Sequence, residues 1–434
     1  MLRNMNQSVQ PNLKTVYAIF EMTQKIYTKD MRITVVGLGY VGLPLLCQLS
    51  TSFSVIGYDV DIKRIEEIKK GFDSKKSVTK EQLRNALLCS EITTDIEKIS
   101  ASKMVIVTVP TPITKNYEPD TSALENVCLS LSKVLRKGSI VVFESTIYPG
   151  ATEELCVPLL CKSGLRYNLD FFVGYSPERI NVGDVEHQIK DVSKIVSGST
   201  PEATSTIASV YQTILSKSVV VASCIKVAEA AKMYENVQRD LLIALANEYS
   251  EYCDRENISI DEVTLCASSK WNFSNVRPGL VGGHCIGVDP YYLLQRASTK
   301  GMNMLLIRNA RQINENKPFI IAEKIKNQIR HLKLSECAKI LLLGFSYKPN
   351  SGDIRNTKVA VVLNELKKHG FQTDCFDPLV NNDEVLQEYG IRLLSAPIDI
   401  QNYDLIVVMV EHDVLAPTIL SCDKNNLIKL RSIL

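Results

Sequence analysis

Twelve cysteines are scattered along 434 residues, and one of them stands in an unusual setting. The segment RPGLVGGHCIGVDPYYL, Arg277 to Leu293, places Gly279, Gly282 and Gly283 ahead of Cys285, with Asp289 four residues behind it. Glycines before a nucleophile let a substrate approach the backbone, and the freed N–H groups can stabilise an oxyanion. A thiolate needs a positive or hydrogen-bonded setting to react. His284 adjoins Cys285, but neighbouring side chains often point apart, so it is not assigned as a base. The plainer reading is a structural glycine loop around a buried thiol, and it is kept for the other eleven cysteines, most of which are expected to be small buried hydrophobes. His284, Cys285 and Asp289 match no usual zinc ligand set, and the chain has no C-x-x-C pair, so no metal is expected.

Three further clusters carry charge suited to an anionic substrate. Lys232, Asn236 and Arg239 fall at i, i+4 and i+7 of a long helical stretch and share one face. Such a trio is often solvated charge, but beside a reactive cysteine it can line a site: lysine for an oxyanion, asparagine for a hydrogen bond, arginine for a phosphate. Glu178 and Arg179, in SPERINVGD, follow the strand-like DFFVGY, where α/β proteins place ligand groups. Glu178 can activate water, or simply pair with Arg179. Finally, GFSYKPN from Gly344 and GDIR ending at Arg355 form a strand-to-loop-to-helix turn that carries basic groups. It is no glycine fingerprint and reads as a nucleotide site rather than a second dinucleotide site.

The elements that must position these residues follow an α/β rhythm. ITVVG runs into Gly37-Leu38-Gly39-Tyr40-Val41-Gly42, then a helix, then the strand SVIGYD ending at Asp59. The first glycine permits the tight turn, the second lets the backbone approach a pyrophosphate, and the third lets helix pack on strand. The acid after the second strand suits the ribose hydroxyls of NAD and repels the 2′-phosphate of NADP. Arg64 can pair with Asp59, contact the adenosine or be solvated. Strands alternating with helices predict a parallel sheet covered on both faces. The expected layout is two Rossmann-like parallel-sheet α/β domains joined by a central helical domain with a long helix. The boundaries are 1–30 for an extension, 31–222, 223–330 and 331–434. Val227, Ala230, Ala231, Tyr234, Leu241, Leu242 and Leu245 form an apolar stripe on the central helix that suits a dimer interface. A helix near Thr15 to Ile26 is expected in the extension.

Composition narrows the partners. A net charge of +2 gives no global field for nucleic acid or an anionic membrane. No apolar run approaches the roughly 18 residues of a membrane span, and the N-terminus has no secretory signal pattern. A cytoplasmic protein is expected.

In order along the chain, GLGYVGLP, VPTP, ESTIYPGAT, SPER, K-x-x-x-N-x-x-R, GGHCIGVDP and D-I-R resemble the UDP-glucose/GDP-mannose dehydrogenase family over nearly the whole length. RPGLVGGHCIGVDPYYL looks most like the branch acting on UDP-N-acetylhexosamines. The resemblance implies oxidation of a C6 alcohol to a carboxylate with two NAD, through a thiohemiacetal and a thioester on Cys285. It implies Lys232 as oxyanion stabiliser, Asn236 and Asp289 at C6, and Glu178 and Thr146 handling water. Tyr40, Val41, Asp59, Arg64, Thr111, Thr146 and Arg355 would line NAD. Arg179, Ile180, Arg239, Gly282, Tyr347 and Lys348 would line the UDP-sugar, and Arg277 would reach a partner subunit's substrate in a homodimer. The N-terminal 30 residues lie outside the resemblance, and the C-terminus departs from the family's usual ending, where a final strand is expected. Rival readings are a UDP-glucose or UDP-N-acetylmannosamine 6-dehydrogenase, a dehydrogenase performing a single oxidation, and a silent nucleotide-sugar-binding regulator.

Overall fold

The computed structural model describes residues 31–114, 116–179, 189–423 and 425–434. The expected helix near Thr15 to Ile26, and Ile180, lie outside these residues. The chain forms two compact units, Met1–Met233 and Tyr234–Leu434, and the boundary falls inside the helix Ile225–Glu256.

The first unit holds an eight-stranded sheet of β1 (Arg32–Val36), β2 (Ser54–Tyr58), β3 (Ser90–Thr93), β4 (Met104–Val107), β5 (Ser139–Phe143), β6 (Phe171–Tyr175), β7 (Lys194–Gly198) and β8 (Val219–Val221). Its order is β3-β2-β1-β4-β5-β6-β7-β8, so the first six strands follow the dinucleotide-binding arrangement. Every residue of β4 and β5 is buried, as their unbroken Val/Ile/Phe runs require of strands covered on both faces. Each such side chain removed from water stabilises the fold by roughly 1.5–3 kcal/mol before entropy is counted. The sheet departs from a purely parallel one at β6–β7, which pair antiparallel through Gly174–Gly198 and Tyr175–Ser197.

The second unit carries β9 (Lys339–Leu343), β10 (Gln372–Phe376), β11 (Leu405–Val408) and β12 (Leu427–Lys429) in a parallel sheet of order β10-β9-β11-β12. β12 supplies a last strand despite the unusual C-terminal sequence. The helices Asp289–Thr299 and Leu305–His331 belong to the same unit.

The helix Ile225–Glu256 buries an unexpected side. Glu229, Lys232, Asn236, Asp240, Asn247 and Ser250 recur at helical spacing and are buried. Of the apolar stripe read from the sequence, Val227, Ala230, Tyr234 and Leu245 are exposed. Polar groups face inward because each finds a partner there, Ser250 for instance donating to Leu434 O.

Candidate active site

Parallel pairing sends the chain out of β1, β4, β5 and β6 along one edge of the first sheet, and the strand order reverses between β1 and β4. Open α/β sheets bind ligands at such a switch point. Gly37 leaves β1 at φ +89°, a conformation an L side chain resists. A Cβ on Gly42 would stand on the Gly37 carbonyl oxygen and against Thr108 Oγ1, so the helix Gly42–Leu49 can approach this closely only with glycine. Asp59 accepts Leu38 N at 2.7 Å and Asp61 N at 3.0 Å, and is half-buried at the end of β2. The narrow glycine cradle, helix start and strand-end carboxylate fit a dinucleotide. Tyr40 and Val41 are half-buried within this turn; Thr111 follows β4 and is buried, and Thr146 follows β5.

Arg64 takes a role different from solvated charge or pairing with Asp59. Its Nε donates to Leu38 O at 2.9 Å, and its guanidinium pairs with Glu67 and Asp73, both at 2.8 Å. Only 5% exposed, it braces the glycine turn from beneath.

Glu178 follows β6 and is held at several atoms. Its carbonyl oxygen accepts Lys232 Nζ at 2.7 Å, and its Oε1 accepts Arg179 N at 2.6 Å. Its Oε2 lies 3.0 Å from Lys194 Nζ, which also reaches Glu144 Oε2 at 2.7 Å. Arg179 is therefore a backbone partner of Glu178, and its guanidinium donates to Ser193 O at 3.1 Å. Burial pushes the Glu144 carboxyl up to about 7, against the pull of Lys194 and with the help of the Glu178 charge. On the helix, buried Glu229 accepts from Gly150 N and Thr152 N and so closes the turn that follows Thr146.

In the second unit, Cys285 is exposed and begins the turn into the helix Asp289–Thr299. Its carbonyl oxygen accepts Val288 N at 3.1 Å and Asp289 N at 2.9 Å. The residue thus sits at the positive end of that helix, which favours negative charge. Exposure alone does not single it out: Cys89, Cys224, Cys266 and Cys337 are exposed too, while six of the other eleven thiols are buried. Context does. Asn236 Nδ2 donates to Asp289 Oδ2, both residues being buried. Arg239, one turn farther along, is exposed. His284 is held neutral: burial and the Arg355 charge lower its pKa to about 4, against the pull of Asp353.

The glycines around Cys285 serve protein packing before any substrate. A Cβ on Gly282 would meet Tyr347 Cβ, and Gly283, at φ +77°, lies against the Tyr347 ring. Gly283 N donates to Arg355 O at 3.0 Å. Upstream, Asn247 clasps Gly279 with two bonds, Nδ2 to its carbonyl at 3.0 Å and Oδ1 from its N–H at 2.9 Å. Asn247 continues through Asn314 to the Asp240–Arg311 pair at 2.6 Å. Breaking a buried pair of this kind strands a charge and costs about 3–5 kcal/mol.

A cavity of about 440 Å³ opens beside this loop at the switch point between β9 and β11. Gly282, Tyr347, Lys348, Arg277 and the backbone after β11 line it, and Leu434 closes it from the C-terminal segment. Arg277 is ion-paired with Asp261, and Arg355 makes three bonds to Asp353, at 2.6–3.1 Å. Among the described residues, no group of three or more His, Cys, Asp or Glu is placed to hold a metal, and no helix is long and apolar enough to cross a membrane.

Residues 31–215 match the NAD binding domain of the UDP-glucose/GDP-mannose dehydrogenase family, 226–316 its central domain and 341–429 its UDP binding domain. The chain belongs to this family. It is 45% identical over 386 residues to a UDP-N-acetyl-D-glucosamine 6-dehydrogenase of Pseudomonas aeruginosa, covering 88% of this chain and 91% of that one. A protein of the same description from Salmonella typhi is 47% identical, covering 88% and 90%. A solved UDP-D-ManNAc dehydrogenase from Pyrococcus horikoshii superposes with a TM-score of 0.81 at 28% identity, over 93% of this chain and 96% of that one. The resemblance drawn from the motifs is thereby borne out, as are the α/β fold and NAD as cofactor: the chain is an NAD-dependent dehydrogenase.

Within the first unit the structure groups Gly37, Gly39, Gly42, Asp59 and Arg64, and separately Glu178, Arg179 and Lys232. Within the second it groups Asn236 with Asp289, and Gly282 with Tyr347. Sequence reasoning missed Glu144, Lys194, Glu229 and Asn247. Glu229 and Asn247 had a signal, because polar residues recur at helical spacing through Lys232 and Asn236. Glu144 opens the ESTIYPGAT motif but was not singled out within it, and Lys194 had no signal, being a lone charge at the start of a strand.

Proposed function

We propose that the chain oxidises the C6 alcohol of a UDP-N-acetylhexosamine to the uronic acid, through a covalent Cys285 thioester. The observation that carries this is Cys285 at a helix start, on a glycine turn packed against Tyr347, with the Asn236–Asp289 pair on the same helix start. The names of the two bacterial relatives at 45–47% identity support the substrate.

The Gly37–Gly42 cradle and Asp59 would hold NAD, which would supply the hydride acceptor for C6 in both oxidations. Cys285 Sγ adds to the aldehyde carbon between them, and this capture keeps a reactive aldehyde from escaping. Lys232 stabilises the oxyanion, Asn236 and Asp289 position C6, and Glu178 with Thr146 directs water at the thioester. Tyr347, Lys348 and Gly282 take the diphosphate and uridine. Residues 31–222, 223–330 and 331–434 act as dinucleotide, helical and UDP-sugar segments.

A homodimer formed through the helical segment is supported by exposed Tyr234, Leu245, Leu265 and Trp271, an apolar set that water solvates poorly. We place the enzyme in the cytoplasm, supplying a surface polysaccharide precursor, because no disulfide forms among the described residues and its relatives act on nucleotide sugars.

The test is a panel of UDP-sugars with NADH release. Two NADH per UDP-N-acetylhexosamine are expected, and Cys285→Ser should abolish net turnover while UDP binding persists. One NADH per sugar, or preference for UDP-glucose, refutes the reading.

A further inference from the structure

A buried lysine in a sheet protein demands explanation, because taking an ammonium ion out of water costs several kcal/mol unless it is paired. Lys194, the first residue of β7, is 4% exposed. Its Nζ lies between two carboxylates, Glu144 Oε2 at 2.7 Å and Glu178 Oε2 at 3.0 Å, and 5.2 Å from the Tyr211 ring centroid. Glu144, the residue after β5, is 2% exposed, and the Tyr211 hydroxyl donates to its second oxygen. Among the described residues, Glu178 meets Lys194 and, through it, Glu144 and Tyr211; Arg179 N and Lys232 Nζ hold the same residue at other atoms.

We infer that Lys194, backed by Glu144 and Tyr211, is the positioning residue that fixes the Glu178 carboxylate for thioester hydrolysis. The inference rests on the covalent reading above. Two carboxylates against one ammonium leave the set with an excess negative charge, so Lys194 is held by strong charge-assisted bonds on both sides. With Oε1 bonded to Arg179 N and Oε2 to Lys194, the Glu178 carboxylate has one orientation. Glu144 is the reservoir behind it, since a carboxyl pushed up to about 7 by burial changes charge near neutral pH.

A water oxygen bonds to the thioester carbonyl carbon, and Glu178 accepts one of the two water protons. The carbon–Sγ bond then breaks, Sγ leaves with the bonding pair and takes the proton that Glu178 held, which regenerates the carboxylate, and the product acid gives the second water proton to solvent. Nothing is oxidised or reduced. Lys194 touches none of these atoms; it acts on them through Glu178.

A residue that only staples the sheet would slow all steps alike, whereas a positioning residue for hydrolysis stalls the enzyme at the thioester. The test uses the full-length Lys194→Met enzyme with UDP-N-acetylglucosamine and NAD, read by NADH release and by intact mass after acid quench. Expected are two NADH per site in a burst, an adduct on Cys285, and kcat down about 100-fold with KM little changed. Lys194→Arg should restore much of kcat, and Glu144→Gln should displace the pH profile of kcat. The inference is overturned if Lys194→Met turns over normally, or slows without adduct. Should Lys194→Met not fold, an unmoved pH profile in Glu144→Gln overturns it instead. If Cys285→Ser still turns over, the covalent reading itself fails, and that is a separate result.

Discussion

In each unit a glycine at φ +89° ends the first strand, Gly37 after β1 and Gly344 after β9. Gly37 N donates to Tyr58 O and Gly344 N to Phe376 O, both at 2.8 Å. An aspartate then ends the neighbouring strand and takes the next N–H at 2.7 Å: Asp59 from Leu38, Asp377 from Phe345. Here the likeness stops. After Gly37 the helix begins at Gly42, so the turn offers amides and a helix start, suited to a pyrophosphate. After Gly344 the helix waits until Val359, and the intervening loop carries Tyr347, Lys348, Asp353 and Arg355. Asp59 stays half-exposed, whereas Asp377 is buried beneath His412, whose Nε2 lies 3.0 Å away. One turn leaves its carboxylate half-exposed; the other seals it beneath a histidine and presents loop side chains instead. On the proposed reading, that difference separates a dinucleotide site from a UDP site.

The largest effect should come from the sealed aspartate. Burial pushes the Asp377 carboxyl up, but the His412 bond and the Phe345 and Ser346 N–H groups outweigh it and hold it below the usual range. His412→Ala leaves that carboxylate buried without its ring partner and should cost about 4 kcal/mol in urea unfolding of the second unit. Its contribution is present above the unfolded carboxylate value and is lost as pH falls through the lower folded one. Next comes the glycine cradle. Gly42→Val places carbon on the Gly37 carbonyl and should cost about 3 kcal/mol of NAD affinity, or roughly 100-fold in Kd. Calorimetry with UDP should show the second site unchanged. Gly344→Ala, against Val410, should do the reverse. Loss of both ligands in either variant would break the comparison.

Much of this was legible in the sequence because it is local. Gly37-x-Gly39-x-x-Gly42 between strand and helix, Asp59 at the next strand end, and Cys285 in its glycine segment are each set by neighbours within a few residues. The aspartate pair was half legible: nothing marks Asp377 as the counterpart of Asp59, since its turn lacks the later glycines. His412 and Lys194 were illegible because their partners lie 16 to 66 residues away in sequence and are met only through the fold. Arg64 was named from its place after Asp59, but its bonds to Leu38 O, Glu67 and Asp73, which brace the glycine turn, had no local signature.

Acid sharpens the comparison further. His284 in the second unit is lowered from 6.5 to about 4, so below pH 6.5 the unfolded chain binds a proton that the folded chain refuses. Stability is flat above that value and falls through the window down to pH 4, by about 2 kcal/mol at pH 5. His284→Gln should remove that slope from the urea midpoint of the second unit, while the first unit's midpoint is unaffected by the substitution.

The smallest effect belongs to Asp59→Asn. The amide can still accept one of the two N–H bonds from Leu38 and Asp61, but its NH2 faces the other donor. Water reaches this half-exposed position, so the cost should be about 1 kcal/mol in stability. The functional change is larger than the structural one: without the carboxylate charge, the preference for NAD over NADP should narrow about 10-fold, measured as the ratio of kcat/KM values. Asp377→Asn, buried under His412, should destabilise the second unit several times more and leave the cofactor preference untouched. If the two substitutions cost the same, burial is not what separates the two aspartates, and the shared turn has one role rather than two.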